Sequence, residues 1–122
     1  MMIVRAYPET AKVYLGSVPL GGVVSAEETE SWSEHPVLGF GDSEPSAYLT
    51  FDRRYGVLLR RDVTTGDGVS FEGIGEFTLT VGNTVYGGCR CLEIKTTKKS
   101  DGSVMQSVKI RALTRQEVES DE

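Results

Sequence analysis

Residues 77–112 read FTLTVGNTVYGGCRCLEIKTTKKSDGSVMQSVKIRA, and their pattern decides the fold class. Apolar and polar side chains alternate in three segments, as in strands with one buried face: Phe77–Val81, Thr84–Thr97 and Val104–Leu113. Gly82-Asn83 and Asp101-Gly102 separate these segments and are typical of tight hairpin turns. Gly87-Gly88 predicts a bulge or a close approach of another backbone within the second strand. The stretch therefore predicts three consecutive antiparallel strands.

The chain before residue 77 predicts more strands of the same kind. Its alternating or extended segments are Lys12–Leu15, Val18–Leu20, Val23–Trp32, Ala47–Phe51 and Arg54–Asp62. We expect the last two to form a hairpin with a tight turn at Asp52-Arg53. Residues 33–45 contain two prolines and two glycines and predict a loop. The glycine-rich residues 63–75 predict an irregular connection with room for one short helical turn around Phe71.

Seven or eight short strands joined mostly by hairpins indicate an antiparallel β-sandwich or barrel, which is an all-β fold or β with one short helix. The 122 residues are enough to bury a core without metals or disulfides. Because the sequence shows no repeat or linker, we expect one domain over residues 1–116. All four charged side chains of residues 117–122 are carboxylates, and the segment predicts an acidic, solvated tail.

The charge balance limits the classes of partner. Thirteen basic and 18 acidic side chains give a formal net charge of −5. Such a chain lacks the broad basic footprint that non-specific binding to nucleic acid requires. The N-terminal residues show no signal-peptide pattern, and no apolar run is long enough to span a bilayer. We therefore expect a cytoplasmic origin and no membrane partner.

Residue types that carry catalysis or bind metals are scarce. Cys89 and Cys91 would share one face of a strand about 7 Å apart, which is awkward for a mutual disulfide. Zinc would need two further soft ligands, and the single histidine, His35, is far away in sequence. Glu28 and Glu30 share a strand face as paired acids might, yet charges on a strand are typical of a solvated face. We predict no catalytic residues, cofactor, metal site or small-molecule substrate.

Two parts of the sequence match the motif order of a known family of proteins. Residues 18–25 (VPLGGVVS) lead to residues 35–45 (HPVLGFGDSEP), and a predicted strand pair follows. This path resembles a family of small phage and prophage virion proteins, in which a G-x-x-L-x-x-V-x-S strand leads to a P-V-x-G-F-G-x-x-E-P loop. The C-terminal part resembles the closing strands of the same tail-tube-like and baseplate-like proteins, at Phe77–Leu79, Tyr86–Cys91, Asp101-Gly102 and Val108–Arg115.

The resemblance implies a β-sandwich that forms rings, commonly hexameric, in a phage tail tube or a tube-proximal adaptor. The partners would be further copies of this chain and other tail proteins, in the virion or in the bacterial cytoplasm before assembly. DNA would be cargo that does not stick, because a lumen lined by carboxylates repels phosphates. Candidate lumen residues are Glu27, Glu28 and Glu30. From loop and hairpin position, the candidate interface residues are Trp32, Val37, Phe40, Arg54 and Arg60.

Other interpretations remain open at this point. Residues 63–75 lack the amphipathic helix that tail-tube folds usually carry, which favours a ring-forming adaptor over the tube itself. A monomeric β-barrel or sandwich could instead bind a ligand or partner through Trp32 and the tyrosines Tyr48, Tyr55 and Tyr86. A hydrolytic enzyme is a third alternative, for which the sequence offers no recognisable nucleophile, base or metal set.

Overall fold

The structure, a computed structural model, describes residues 2–39, 41, 44, 47–64 and 69–118. These residues form nine strands and no helix. The strands are β1 (Met2–Ala6), β2 (Val13–Leu15), β3 (Val18–Pro19), β4 (Val23–Val37), β5 (Ala47–Asp62), β6 (Phe77–Val81), β7 (Thr84–Lys98), β8 (Val104–Ala112) and β9 (Thr114–Glu117). The prediction of an all-β antiparallel fold is confirmed.

All nine strands belong to one antiparallel sheet that is not closed into a barrel. The order is β1-β4-β5-β8-β7-β6-β2-β3, and β9 pairs with β7. Two layers meet in β7, because its first part, Thr84–Cys89, pairs with β6 and β9, whereas Arg90–Lys98 pairs with β8. We call β1, β4, β5, β8 and Arg90–Lys98 the long layer, and the remaining strands with Thr84–Cys89 the short layer.

The hydrophobic core lies between the two layers. Alternate residues of β5 and β8 supply it from the long layer, and alternate residues of β6 and the start of β7 supply it from the short layer. The buried residues of both layers form one cluster, which includes Val57, Leu59, Val108, Ile110, Leu79, Val81 and Tyr86. Phe71, in the connection between β5 and β6, is also buried in this cluster. The continuous sheet therefore folds over on itself to enclose a single core.

The predicted Gly87-Gly88 irregularity is where β7 passes from one layer to the other. Gly88 has a φ of 61°, a conformation that side chains with a Cβ rarely adopt. The pairing of β7 with β6 shifts register at this point, and the Leu113 amide donates a hydrogen bond to the Gly87 carbonyl at 3.0 Å. The glycine pair therefore marks a bulge, as predicted, and lets the chain end after β8 pack against it.

The predicted hairpin of Ala47–Phe51 with Arg54–Asp62 is wrong. Residues 47–62 form one continuous strand, β5, which pairs with β4 from Val37↔Ala47 to Val23↔Arg61. Asp52-Arg53 lacks a glycine or asparagine, the residues that tight hairpin turns favour, and β4 continues alongside it. For the same reason the predicted loop at residues 33–45 begins later, because β4 extends to Val37. A register shift between Ser31 and Ser33 accommodates the long pairing.

Two short strands at the chain ends were missing from the prediction. β1 pairs with β4, from Met2↔Ser31 to Ala6↔Glu27, and β9 pairs with β7, from Thr84↔Glu117 to Gly87↔Thr114. β9 thus includes Glu117, one residue beyond the predicted domain boundary. The described residues of 63–75 contain no helical turn around Phe71, although the Ile74 amide donates to the Phe71 carbonyl at 3.5 Å.

Candidate assembly surfaces

A buried carboxylate in β4 organises the side of the molecule where both chain ends meet. Glu28 has no exposed surface. Its Oε1 lies 2.8 Å from Arg5 Nη1, and its Oε2 accepts a hydrogen bond from Arg115 Nε at 3.0 Å. The hydroxyls of Tyr7, at 3.1 Å, and Tyr86 also donate to Oε2, and the two phenols contact each other. This one side chain therefore connects β1, β4, β7 and β9.

Glu30 extends the same cluster along β4. It is only 6% exposed, and its Oε2 accepts a hydrogen bond from Arg5 Nη1 at 2.8 Å. Arg53 of β5 approaches its Oε1 at 3.3 Å, while Arg115 also pairs with Glu117 at 2.7 Å. Three guanidinium groups thus face three carboxylates, so that the cluster formed by these six side chains is neutral. Buried charges are stable when they are paired and hydrogen-bonded in this way.

The hydrogen bonds determine the protonation state of the cluster. Burial alone would raise the pKa of the Glu28 carboxyl, but the hydrogen bonds from Tyr86, Arg115 and Tyr7 outweigh it and hold this pKa below its ordinary value. Burial and the bond to Glu28 raise the pKa of the Tyr86 hydroxyl, and the bond to Glu30 raises the pKa of Arg5. The cluster therefore contains an ionised Glu28 and a neutral Tyr86 phenol at neutral pH.

This cluster changes the interpretation of the acidic run in β4. Glu28 and Glu30 do share a strand face, as predicted, but that face is buried, so the expectation of a solvated face is wrong. Of the three carboxylates proposed for a lumen, Glu27 alone is exposed. The reason lies outside the local pattern: the arginines that neutralise Glu28 are 23 and 87 residues away in the chain.

The long layer has two open edges among the described residues. β1 pairs with β4 on one side only, and Arg90–Lys98 of β7 pairs with β8 on one side only. The β1 edge also exposes apolar side chains, since Met2, Ile3 and Val4 are 66%, 39% and 52% exposed. An open edge presents unpaired backbone groups that can pair with a strand of another chain. These two edges are candidate surfaces for extending the sheet between molecules.

The paired ends of β4 and β5 form an arm that reaches beyond the core. We define the arm as Ser33–Val37 and Ala47–Phe51, which pair from Ser33↔Phe51 to Val37↔Ala47. None of the described side chains in Ser33–Val37 belongs to the core cluster. His35 lies in the arm, where its backbone pairs with Leu49, so the expectation of a loop histidine is wrong. The arm is a candidate contact with other subunits.

The predicted interface residues lie in two places. Trp32 lies at the base of the arm and is half-buried. The Arg53 guanidinium lies 5.3 Å from the centroid of the Trp32 ring, and Trp32 Nε1 donates a hydrogen bond to Glu34 Oε1 at 3.2 Å. Val37 is half-buried at the end of β4, whereas Phe40 lies outside the described residues. Arg54 and Arg60 are exposed on β5, on the side of the long layer that faces away from the core. Their contact with another subunit stays a prediction.

The described part of the chain shows neither a cluster of metal ligands nor a cysteine with a lowered pKa. It contains no group of three or more histidine, cysteine, aspartate or glutamate side chains that could hold a metal ion. Cys89 is a buried free thiol whose pKa burial raises to about 11, and Cys91 is also a free thiol. A thiol with a raised pKa is a weak nucleophile.

The described residues include no helix that is long and apolar enough to cross a bilayer.

Comparisons with known proteins point to a fold but to no family. No family model matches the sequence, and no curated protein gives a significant match. Among solved structures, a chain of the anti-feeding prophage cap (AFP tube terminating cap) is similar, with a TM-score of 0.59 and 14% identity over 92% of this chain and 93% of that chain. A chain of the PVC sheath-tube complex, an extracellular contractile injection system in its extended state, is similar over the same shares, with a TM-score of 0.59 and 13% identity. At these identities the likeness shows a shared fold.

Proposed function

We propose that this chain is a structural subunit of a phage tail or phage-like particle, and that it assembles with copies of itself into rings. Two similar structures, a tube terminating cap and a sheath-tube complex, support a role in such a particle. The expected ring is hexameric, belongs to a tail tube or a tube-proximal adaptor, and surrounds a channel for DNA or other cargo. The role is structural and involves no catalysis.

The observation that carries this proposal is the pair of open edges on the long layer. If β1 of one subunit lies beside Arg90–Lys98 of the next, every subunit contributes its long layer to a shared sheet. Closing that sheet into a ring removes all of its edges, which is the most complete protection an exposed edge can have. The exposed apolar residues of β1 would then be covered by the neighbouring subunit.

Such a ring assigns roles to the remaining surfaces. The outer face of the long layer, the side facing away from the core, would line the channel. The arm would project from the ring and contact the next ring or another tail protein. Of the proposed lumen residues, Glu27 lies on this outer face, with Arg54 and Arg60 of the proposed interface residues. In this arrangement the subunit is located in the assembled particle, and before assembly it is located in the bacterial cytoplasm.

The test is the mass of the purified protein in solution. We expect light scattering over a concentration series to show growth from monomers to large species, and electron microscopy to show rings or tubes. Val4→Lys should reduce this growth, because a lysine on an edge strand discourages strand pairing between molecules. Val4 is 52% exposed, so circular dichroism and the unfolding midpoint should stay close to those of the unmodified chain.

Val18→Lys is the matched control. Val18 is 48% exposed on β3, an edge of the short layer, and the substitution is chemically identical. This variant should assemble normally. Equal loss of assembly in both variants would contradict the assignment to the long-layer edges. A monomer at every concentration would contradict self-assembly and favour a monomeric module that binds a partner.

A further inference from the structure

The outer face of the long layer carries a charge opposite to that of the whole chain. Its exposed charged side chains include six cations and three carboxylates, a net charge of +3 on a chain of formal net charge −5: Arg54, Arg60, Arg90, Lys95, Lys109 and Arg111, with Glu27, Asp62 and Glu93. The acidity of the chain therefore lies elsewhere on its surface. This distribution conflicts with the expected carboxylate-lined channel.

The strand pairing arranges these charges in rows that cross the sheet. One row contains Arg60 and Lys95, and another contains Arg111 and Arg90. Between them runs a middle row in which Glu27, Leu58, Lys109 and Glu93 are successive cross-strand partners. Neighbouring rows are about 7 Å apart, because they are separated by two residues along each strand. The two basic rows therefore lie on opposite sides of the middle row and are about 14 Å from each other.

A groove of about 740 Å³ lies on the same face. Leu58 and Leu92 line it together with Arg54, Arg60, Lys109 and Arg111. Leu92 is 56% exposed, so an apolar side chain on an occupant would gain contact there. The face thus offers apolar contacts within a border of cations, in a concave shape that can surround a narrow occupant.

The arrangement fits a polypeptide better than a nucleic acid. An extended polypeptide directs successive side chains to opposite sides, so an acidic segment lying along the middle row can reach the cations of both flanking rows. Its apolar side chains can contact Leu58 and Leu92. Glu27 and Glu93 lie at the two ends of the middle row and would repel any negative charge placed directly over them, although Glu93 is partly neutralised by Lys95 at 3.3 Å. A polypeptide can direct its carboxylates to the two flanking rows and place neutral backbone over the middle row, whereas every nucleotide carries a phosphate.

We propose that the outer face of the long layer binds an extended acidic polypeptide. In the ring this face lines the channel, so the place of this activity in the particle rests on the proposed function. Binding itself needs only the face of one subunit. The occupant of the channel would then be an acidic protein segment that the wall binds, in contrast to DNA that slides past a repelling wall.

The experiment measures binding of a fluorescein-labelled polyglutamate peptide to the intact chain by fluorescence anisotropy at low and at physiological salt. Lys109→Gln with Arg111→Gln removes two cations from the centre of the face and should weaken binding about tenfold, because each exposed charge pair contributes only modestly to binding. The control is Lys12→Gln with Lys99→Gln, an equal charge change at exposed residues away from the face. It should bind as the unmodified chain does.

Duplex DNA of similar net charge serves as the competing probe, and light scattering follows the assembly of every variant. No binding of the peptide, or equal weakening by the two double variants, would overturn the proposal. Tighter binding of DNA, with loss in the Lys109→Gln/Arg111→Gln variant, would overturn the choice of a polypeptide. A chain that binds the peptide but remains monomeric would contradict the ring alone, and a ring that ignores the peptide would contradict this inference alone.

Discussion

At the scale of single residues, Glu28 shows how a buried charge can connect distant parts of a small β-protein. Removing a carboxylate from water is costly, and the Glu28 side chain is tolerated because two guanidinium groups and two phenols satisfy its oxygens. Its partners come from β1, β7, β9 and the residue that follows β1. The arrangement ties the first and last strands to the same point in β4, and those strands have few other contacts with the core.

We predict that Glu28→Gln lowers the free energy of unfolding by about 3–5 kcal/mol, the usual range when one partner of a buried ion pair is removed. The neutral amide removes the buried carboxylate that Arg5 and Arg115 share and leaves each arginine with one carboxylate, Glu30 and Glu117 respectively. Urea denaturation followed by circular dichroism measures the loss. Glu27→Gln is the matched control on the exposed side of the same strand, and its effect should stay within about 0.5 kcal/mol.

The same variant should also change the dependence of stability on pH. Because the pKa of Glu28 is lower in the folded chain than its ordinary value, the unfolded chain binds a proton more readily at acidic pH. The stabilisation by Glu28 is therefore complete above its ordinary pKa of about 4.3 and is lost as the pH falls toward the folded value. Glu28→Gln should flatten this acid-side decline, whereas an unchanged slope would contradict the role of Glu28.

Only part of this cluster could be predicted from the sequence. Period two correctly placed Glu28 and Glu30 on one face, but alternation alone does not tell a solvated face from a buried one. The missing information was the position of Arg5 and Arg115, which depends on β1 and β9. Both strands are short, and each forms by pairing with a longer strand. The local pattern of apolar and polar residues therefore does not identify them.

At the scale of elements, the bend in β7 depends on one glycine. A Cβ on Gly88 would lie 2.9 Å from Cδ1 and 3.1 Å from Cβ of Leu113. The positive φ of 61° adds a second obstacle, since side chains other than glycine pay a steric penalty there. Leu113 follows β8 directly, so this contact fixes how the end of β8 lies against the bend between the layers.

We predict that Gly88→Ala lowers the free energy of unfolding by about 2–4 kcal/mol, combining the backbone penalty with the overlap against Leu113. Gly16→Ala is the control, because Gly16 has nearly the same φ, 62°, and nothing within 4 Å of its added Cβ. The control should lose only the backbone part, about 1–2 kcal/mol. Equal losses in the two variants, measured by urea denaturation, would show that the Leu113 contact is unimportant.

The elements were predicted best where turns have a strong local signature. Gly82-Asn83 and the tip before β8 gave correct strand boundaries, because those residues adopt turn conformations with little strain. β5 was divided in error because Asp52-Arg53 interrupts its alternation of apolar side chains. Whether such a pair is a turn or the middle of a strand depends on the partner strand, and β4 is long enough to pair across it.

At the scale of the whole molecule, the two layers are unequal. The short layer consists of short strands that complete the core, whereas the long layer has strands of up to 16 residues that extend past it. The sequence predicted an all-β fold, but it also predicted a loop at residues 33–45, so the β4 half of the arm was not expected. The charge of the outer face could not be predicted, because it follows from the register that brings four strands together.

In the arm, β4 and β5 stay paired beyond the end of the core, so the arm can be shortened without removing core residues. Replacing residues 34–50 with Asn-Gly joins the partners Ser33 and Phe51 by a two-residue turn of the type that hairpins favour. We predict that the free energy of unfolding changes by less than about 1 kcal/mol, since Ser33–Val37 contributes no described side chain to the core. Stacking of rings into longer species, followed by light scattering and electron microscopy, should be lost, whereas single rings should still form through the open edges of the long layer.

The control shortens the other long hairpin in the same way. Replacing residues 99–103 with Asn-Gly joins the partners Lys98 and Val104, removes a tip that also lies outside the core, and should leave both folding and assembly intact. Stacked rings or tubes formed by the arm-deleted chain would show that the arm is not a contact between rings. A large loss of stability would instead make the arm part of the folding unit. Loss of stacking from both deletions would mean that stacking requires intact hairpin ends in general.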